Sequence, residues 1–328
     1  MSEVEGRLSY AKPPVEWPSP PKRMSYSALA DMECARRWAL QKATYPEIWS
    51  GKGYPAPPPY GSIEGNIVHV ALERILQALT AAGCESPQDA CCAAPVLREL
   101  GGYRGVVEGS LRDSFQKLDE TQNPRCEPAL PKIRKRLEGC VSSMGQVVQN
   151  MLTRVDVRTE RGSEAEYNYN STDEMVPRSE LKHGLHSEVL LKPSEFSWRG
   201  YADVISLSAS SCEIRDFKTG KKKDEHSDQV QIYALLWFID GVVNPTGRLA
   251  DRLVLSYDDG DVEVPAPTET ELIELRQALE RKTQVALTAL AQTPPPASPT
   301  VEKCKMCPVR QLCDDYWESP VVAQAPEG

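Results

Sequence analysis

Apolar positions recur every three to four residues over most of the chain and every second residue in one central stretch, so both kinds of element are expected. Behind Ser25, residues 28–40 place Leu29, Met32, Trp38 and Leu40 at near-helical spacing. This predicts one helix behind a serine cap within Ser25-Tyr26-Ser27, with Cys34 on it. Residues 61–83 carry Ile63, Ile67, Ala71 and Ile75 along one face and Leu72, Leu76 and Leu79 along another. A helix apolar on two faces is mostly buried, and its His69 points inward with the second stripe. From His186 the period changes to two. Residues 186–192, 198–208 and 212–220 are predicted as successive strands, 228–239 as a helix and 252–257 as a further strand. Residues 268–292 form a long helix that the proline-rich 293–300 ends.

Residues 1–24, with five prolines, read as an extended arm, and Tyr54 to Tyr60 as a loop. Residues 82–185 hold short helical patterns, a basic run (Lys132, Arg134, Lys135, Arg136) and a polar stretch over 160–179. They are expected to be a mainly helical insertion followed by a loop. The organisation expected is an arm (1–24), a single domain (25–317) and a tail (318–328).

Composition narrows the class. The chain has 328 residues, 40% hydrophobic and 26% charged, enough to bury a core. Its net charge of −9 argues against coating nucleic acid through bulk charge. The longest apolar run, Ala234 to Ile239, is far below the roughly 20 residues of a membrane helix, and the N-terminus lacks an apolar signal core. A soluble, cytoplasmic protein with no membrane partner is expected. Its ten cysteines then suit a metal or cluster site better than secreted disulfides.

A short hairpin around 208–211 that pairs Leu207 with Cys212 would set Ile205 opposite Ile214, Asp203 opposite Asp216 and Tyr201 opposite Lys218. Side chains alternate along strands, so Asp203, Asp216 and Lys218 share one face. Two carboxylates that close are destabilising unless neutralised. Mg²⁺ or Mn²⁺ would neutralise them, and Lys218 could hold or deprotonate an attacking water. Two solvated carboxylates on an exposed face are the alternative.

These residues resemble a known family. Gly200-Tyr201-Ala202-Asp203, then Ile214-Arg215-Asp216-Phe217-Lys218-Thr219-Gly220-Lys221, then Gln229 and Tyr233, are similar to the core motifs of the PD-(D/E)XK nucleases, in particular the RecB-like branch. Gly65-Asn66-Ile67-Val68-His69 resembles that branch's histidine motif. The resemblance implies a restriction-endonuclease-like α/β core, a central mixed sheet flanked by helices, and metal-dependent hydrolysis of DNA. It places His69, Asp203, Asp216 and the Phe217 carbonyl on the metal. Lys218 becomes the catalytic lysine, Gln229 and Tyr233 line the site, and Glu188 is a weaker match to a further acidic residue.

Cys304, Cys307 and Cys313 form C-x2-C-x5-C near the C-terminus. Members of the same branch that carry an iron–sulfur cluster, including CRISPR-associated nucleases and the AddB nuclease domain, have one cysteine upstream and three at the end. The resemblance implies a [4Fe–4S] cluster on Cys34, Cys304, Cys307 and Cys313, stapling the terminal region; a structural Zn²⁺ is the alternative. Cys84, Cys91, Cys92, Cys126, Cys140 and Cys212 are expected to be free buried thiols.

Lys221, Lys222 and Lys223 at the end of the catalytic strand, with Arg36 and Arg37 beside Cys34, are candidate DNA contacts. No phosphate-binding loop of an ATPase motor occurs, so unwinding would need a partner helicase. The expected function is a DNA exonuclease acting on single strands or ends, in a CRISPR, repair or defence setting. The competing reading is a catalytically idle DNA-binding or assembly subunit.

Overall fold

The computed structural model describes residues 17–45, 53–54, 59–121, 129–157 and 178–318. Residues 1–16 of the expected arm, much of the 54–60 loop, Cys126, most of the 160–179 stretch and the tail from 319 lie outside these. The chain divides into two compact units: Met1–Pro58, Asp119–Lys132 and Gln277–Gly328 form the first, Pro59–Leu118 and Ile133–Arg276 the second.

In the first unit, two short helices replace the single one expected over 28–40. Helix α1 (Tyr26–Asp31) starts where Ser25 Oγ accepts the Ala28 amide at 3.2 Å, so of the two serines there it is Ser25 that caps. The chain then turns, and Cys34 takes an extended conformation (φ −122°, ψ 99°) as the N-cap of α2 (Ala35–Lys42). Cys34 therefore stands at the mouth of a helix, not within one. The apolar period crosses the break because Met32 and Trp38 are both buried, which is why the two pieces read as one.

The second unit opens with α3 (Tyr60–Ala81), which buries both predicted stripes, Ile63, Ile67, Ala71 and Ile75 with Leu72, Leu76 and Leu79. Each of its large apolar side chains contributes about 1.5–3 kcal/mol by leaving water. The insertion is helical as expected, with α4 (Ala93–Glu99), α5 (Gly102–Thr121), α6 (Leu130–Glu138) and α7 (Val141–Leu152). Four cysteine assignments there are corrected. Cys84 and Cys92 are joined in a disulfide, because the turn that ends α3 at Gly83 (φ +69°) brings residue 92 back to 84, with Cα atoms 5.5 Å apart. Cys91 is free but exposed, Cys140 is half-buried, and Cys212 is free and buried as expected.

Five strands follow: β1 (Gly184–Leu191), β2 (Gly200–Leu207), β3 (Cys212–Lys218), β4 (Arg252–Tyr257) and β5 (Gly260–Val264), in sheet order β1-β2-β3-β4-β5. The β3–β4 pair is parallel and the rest antiparallel, so the sheet is mixed. A parallel pair needs a crossover, here α8 (Glu225–Ile239). It buries Val230, Ile232, Ala234, Leu235, Leu236 and Trp237 and packs on β2, β3 and β4, while α3 packs on β1. This is the α/β core with helices flanking a central mixed sheet. Strand β5 was missed because its period-two signal is weak: Asp261, Val262 and Glu263 are exposed and only Val264 is buried.

The hairpin register agrees with the sequence from Leu207–Cys212 to Val204–Arg215 and then stops. Asp203–Asp216 and Tyr201–Lys218 do not continue the ladder, because the Phe217 amide is taken by the Asp203 carboxylate at 2.5 Å.

Helix α9 (Glu269–Leu290) is followed, in the first unit, by α10 (Val301–Lys305), a 3₁₀ turn over Arg310–Leu312 and α11 (Asp314–Glu318). Among the described residues no helix is long and apolar enough to cross a membrane.

Candidate active site

The second unit brings together most of the residues marked out in the sequence. His69 comes from α3, Glu188 from β1, Asp203 from β2, Asp216 and Lys218 from β3, and Gln229 and Tyr233 from α8. One ligand atom each from His69, Glu188 and Asp203 lies within 4.8 Å of the others. Asp216 is not a member of that group. Its Oδ2 stands 2.5 Å from the Lys218 ammonium, without a well-directed hydrogen bond, at a side chain only 3% exposed.

Each position has a local cause. Asp203 is held from both sides, its Oδ2 by the Phe217 amide at 2.5 Å and its Oδ1 by His69 Nδ1 at 3.3 Å. The Phe217 ring meets the imidazole edge-on at 6.4 Å. Helix α3 approaches β3 closely at Gly65, where a Cβ would stand 3.0 Å from Thr219 Oγ1. Glu188 has φ +50°, the one non-glycine residue with positive φ among those described. The β1–β2 ladder pairs Ser187 with Val204 and Val189 with Ala202 and skips the Glu188 step, which faces Asp203. Such a conformation costs about 1–3 kcal/mol and persists where the surroundings impose it, typically at functional sites.

A hydrogen-bonded chain runs outward from Lys218. Its ammonium donates to Gln229 Oε1 at 2.7 Å, and Gln229 Nε2 donates to the Tyr233 hydroxyl at 2.6 Å. The Tyr233 ring fits because residue 200 is glycine: a Cβ there would be 2.7 Å from Tyr233 Cε1.

The charges are frustrated. Burial, then the charges of Asp203 and Glu73, push Glu188 up to about 8. Burial, then Asp203, push Asp216 up to about 7 although Lys218 opposes them. Burial works to lower His69, but Asp203, Asp216 and Glu188 outweigh it and raise the imidazole to about 9. Burial, then Asp216 and Asp203, hold the Tyr233 hydroxyl far above its ordinary range and so protonated. Excess negative charge in a buried pocket is what a divalent cation relieves. Two carboxylates with one imidazole fit Mn²⁺ well, and Mg²⁺ through the oxygens.

Sequence reasoning missed a neighbouring pair. His226 Nδ1 lies 2.8 Å from the Tyr257 hydroxyl, and Tyr257 pairs with Lys218 across the parallel β3–β4 register. The signal was available, because His226 lies three residues before Gln229 on one helix face.

Lys221, Lys222 and Lys223 are exposed as expected, with Lys222 paired to Asp259 at 2.9 Å. In the basic run, Arg134 pairs with Glu138 at 3.3 Å and Arg136 stacks over Tyr60 at 4.1 Å. Arg36 and Arg37 are engaged inside the first unit. Arg36 donates to the Pro295 carbonyl at 2.6 Å and pairs with Asp315 at 3.2 Å. Arg37 Nη2 donates to the Ala30 and Asp31 carbonyls at 3.2 and 3.1 Å.

Cys34, Cys304, Cys307 and Cys313 carry free thiols that line one enclosed cavity in that unit, together with Arg37 and Arg310. Burial raises the Cys307 thiol, and burial followed by Asp315 pushes Cys313 up to about 11.

Comparison with known proteins identifies a family. The sequence profile of the PD-(D/E)XK nuclease superfamily matches residues 23–314. No curated protein sequence matches the chain. The crystal structure of SSO0001 is similar at 20% identity and a TM-score of 0.24, over 40% of this chain and 60% of that one.

Proposed function

Because the chain belongs to the PD-(D/E)XK nuclease superfamily, we propose that His69, Glu188, Asp203, Asp216 and Lys218 form the active centre of a metal-dependent DNA nuclease. The observation that carries this is the convergence of His69, Glu188 and Asp203 within 4.8 Å, beside a lysine paired to a buried aspartate. His69, Glu188 and Asp203 would hold the cation, with Asp216 and the Phe217 carbonyl as further candidate ligands. A bound Mn²⁺ or Mg²⁺ supplies Lewis-acid polarisation of the scissile phosphate.

The chain's own groups do the rest. The Phe217 amide fixes the Asp203 carboxylate, and Asp216 with Gln229 fixes the Lys218 ammonium where it can counter phosphate charge or orient the attacking water. Tyr233 holds the Gln229 amide. Exonucleolytic action on single strands or ends is supported by the resemblance and by the exposed Lys221–Lys223 run beyond the catalytic strand. Duplex substrates would need a partner helicase, and CRISPR adaptation, repair or defence complexes are settings of that chemistry.

The same reading places a [4Fe–4S] cluster on Cys34, Cys304, Cys307 and Cys313. It is supported by four free thiols from two distant chain segments around one cavity.

The test is degradation of DNA labelled at the 5′ or 3′ end, single- and double-stranded, by anaerobically purified protein with Mn²⁺ or Mg²⁺. Progressive shortening from one labelled end supports the exonuclease. Internal fragments support an endonuclease, and intact DNA with a loaded cluster supports the idle DNA-binding subunit.

A further inference from the structure

Arg37 carries an unexplained donor. Its Nε is buried and has no hydrogen-bond partner among the described residues. A buried donor left unmade costs about 1–3 kcal/mol, more on a charged group, so native proteins rarely leave one. Elsewhere on the guanidinium, Nη2 has its partners. Nη2 is pinned by the Ala30 and Asp31 carbonyls, the exposed C-terminal end of α1, and stands 3.8 Å from Asp31 Oδ1. That anchor fixes the planar fork, in which Nε is a buried donor without a partner among the described residues.

Arg37 is part of the lining of the cavity formed by Cys34, Cys304, Cys307 and Cys313, as is Arg310. Arg310 Nη1 is already used, on the Lys305 carbonyl at 2.8 Å. The acceptors concentrated in this cavity are sulfur atoms. Four thiolates on one centre gather negative charge, which a fixed guanidinium offsets, and hydrogen bonds to sulfur are among the main settings of a cluster's potential.

We propose that Arg37 Nε–H donates a hydrogen bond to a sulfur of the metal–thiolate centre and thereby raises its reduction potential, a positioning and tuning role that rests on the cluster reading above. Loss of the bond makes the centre more electron-rich and harder to reduce.

The test uses full-length protein purified anaerobically: wild type, Arg37→Lys, which keeps the charge but not the fixed Nε, and Arg37→Gln. Iron, zinc and acid-labile sulfide per chain are measured first, then the midpoint potential by redox titration. The expected result is an iron- and sulfide-loaded wild type whose midpoint moves to more negative values in both variants. Full loading with an unchanged midpoint overturns the role of Arg37 and leaves the cluster standing. Zinc alone, or no metal, in the wild type overturns the cluster reading and the role with it. If the variants fail to load, the reduced wild type labelled with ¹⁵N-arginine decides. A ¹⁵N coupling to the cluster in its electron–nuclear spectrum supports the bond, and no coupling overturns it.

Discussion

Gly200 lies so close to Tyr233 that a Cβ on the strand would stand 2.7 Å from Cε1 of the ring and 3.0 Å from Cδ1. The strand residue that carries no side chain is thus what lets the tyrosine reach Gln229, and through it Lys218. Gly200→Ala is expected to overpack this contact, costing about 1–3 kcal/mol in a urea melt, and to lower kcat by moving the Gln229–Lys218 chain. Gly61→Ala, at a helical glycine with open space around its Cβ position, is the control: it should leave kcat unchanged and stabilise by up to about 1 kcal/mol.

Lys218 touches the buried Asp216 and Gln229 but is not one of the candidate ligands. Lys218→Ala should lower kcat about 10²–10⁴-fold, the usual contribution of a positioned proton-transfer or charge-stabilising group. Mn²⁺ affinity, read by calorimetry, should stay within a few-fold of wild type. A variant that loses metal affinity and rate together would place Lys218 in a structural role.

Three groups of the candidate site should make the metal-free protein less stable as pH rises, against the smaller opposite effect of His186 and His226, whose imidazoles burial holds below the usual range. His69 is raised from 6.5 to about 9, Glu188 from 4.5 to about 8 and Asp216 from 3.8 to about 7. In each case the folded state binds the proton more tightly than the unfolded chain. The stabilisation is therefore present at low pH and is lost as pH climbs through the folded values. Urea midpoints in EDTA should fall between pH 6 and pH 8. Mn²⁺ replaces those protons and should restore more stability at pH 8 than at pH 6. A metal-free midpoint that rises over this interval contradicts the charge assignment.

Asp240, fully buried just past the end of α8, binds the Arg178 guanidinium, the Lys192 amide at 2.7 Å and the Val242 amide at 3.2 Å. Asp240→Ala leaves a half-buried arginine and two amides without their acceptor and should cost about 3–5 kcal/mol. Urea denaturation reads it; a loss below about 1 kcal/mol would mean that water replaces the carboxylate.

How much of this was legible in the sequence follows from which physical signals are local. The stripes of α3 and the alternation of β1 to β3 were readable because burial imposes them residue by residue, and the Leu207–Cys212 register followed from one short turn. The break at Cys34 was not, since Met32 and Trp38 keep one apolar period across it. Neither was the Cys84–Cys92 disulfide, which depends on how the turn after α3 returns. At the site, Asp203, Asp216 and Lys218 stood out by their hairpin register, and His69 by the resemblance of its motif to the family's. The positive φ of Glu188 and the Phe217–Asp203 bond are backbone events that no side-chain pattern announces.

The most direct test of the central claim is the initial rate of Mn²⁺-dependent cleavage of end-labelled single-stranded DNA, for wild type and Asp203→Asn across a Mn²⁺ titration. If the cluster of His69, Glu188 and Asp203 holds the catalytic cation, wild type cleaves and EDTA abolishes it. Asp203→Asn then shows a Mn²⁺ requirement at least tenfold higher with a much reduced maximal rate. Cleavage by Asp203→Asn at the wild-type rate and Mn²⁺ dependence would contradict the account.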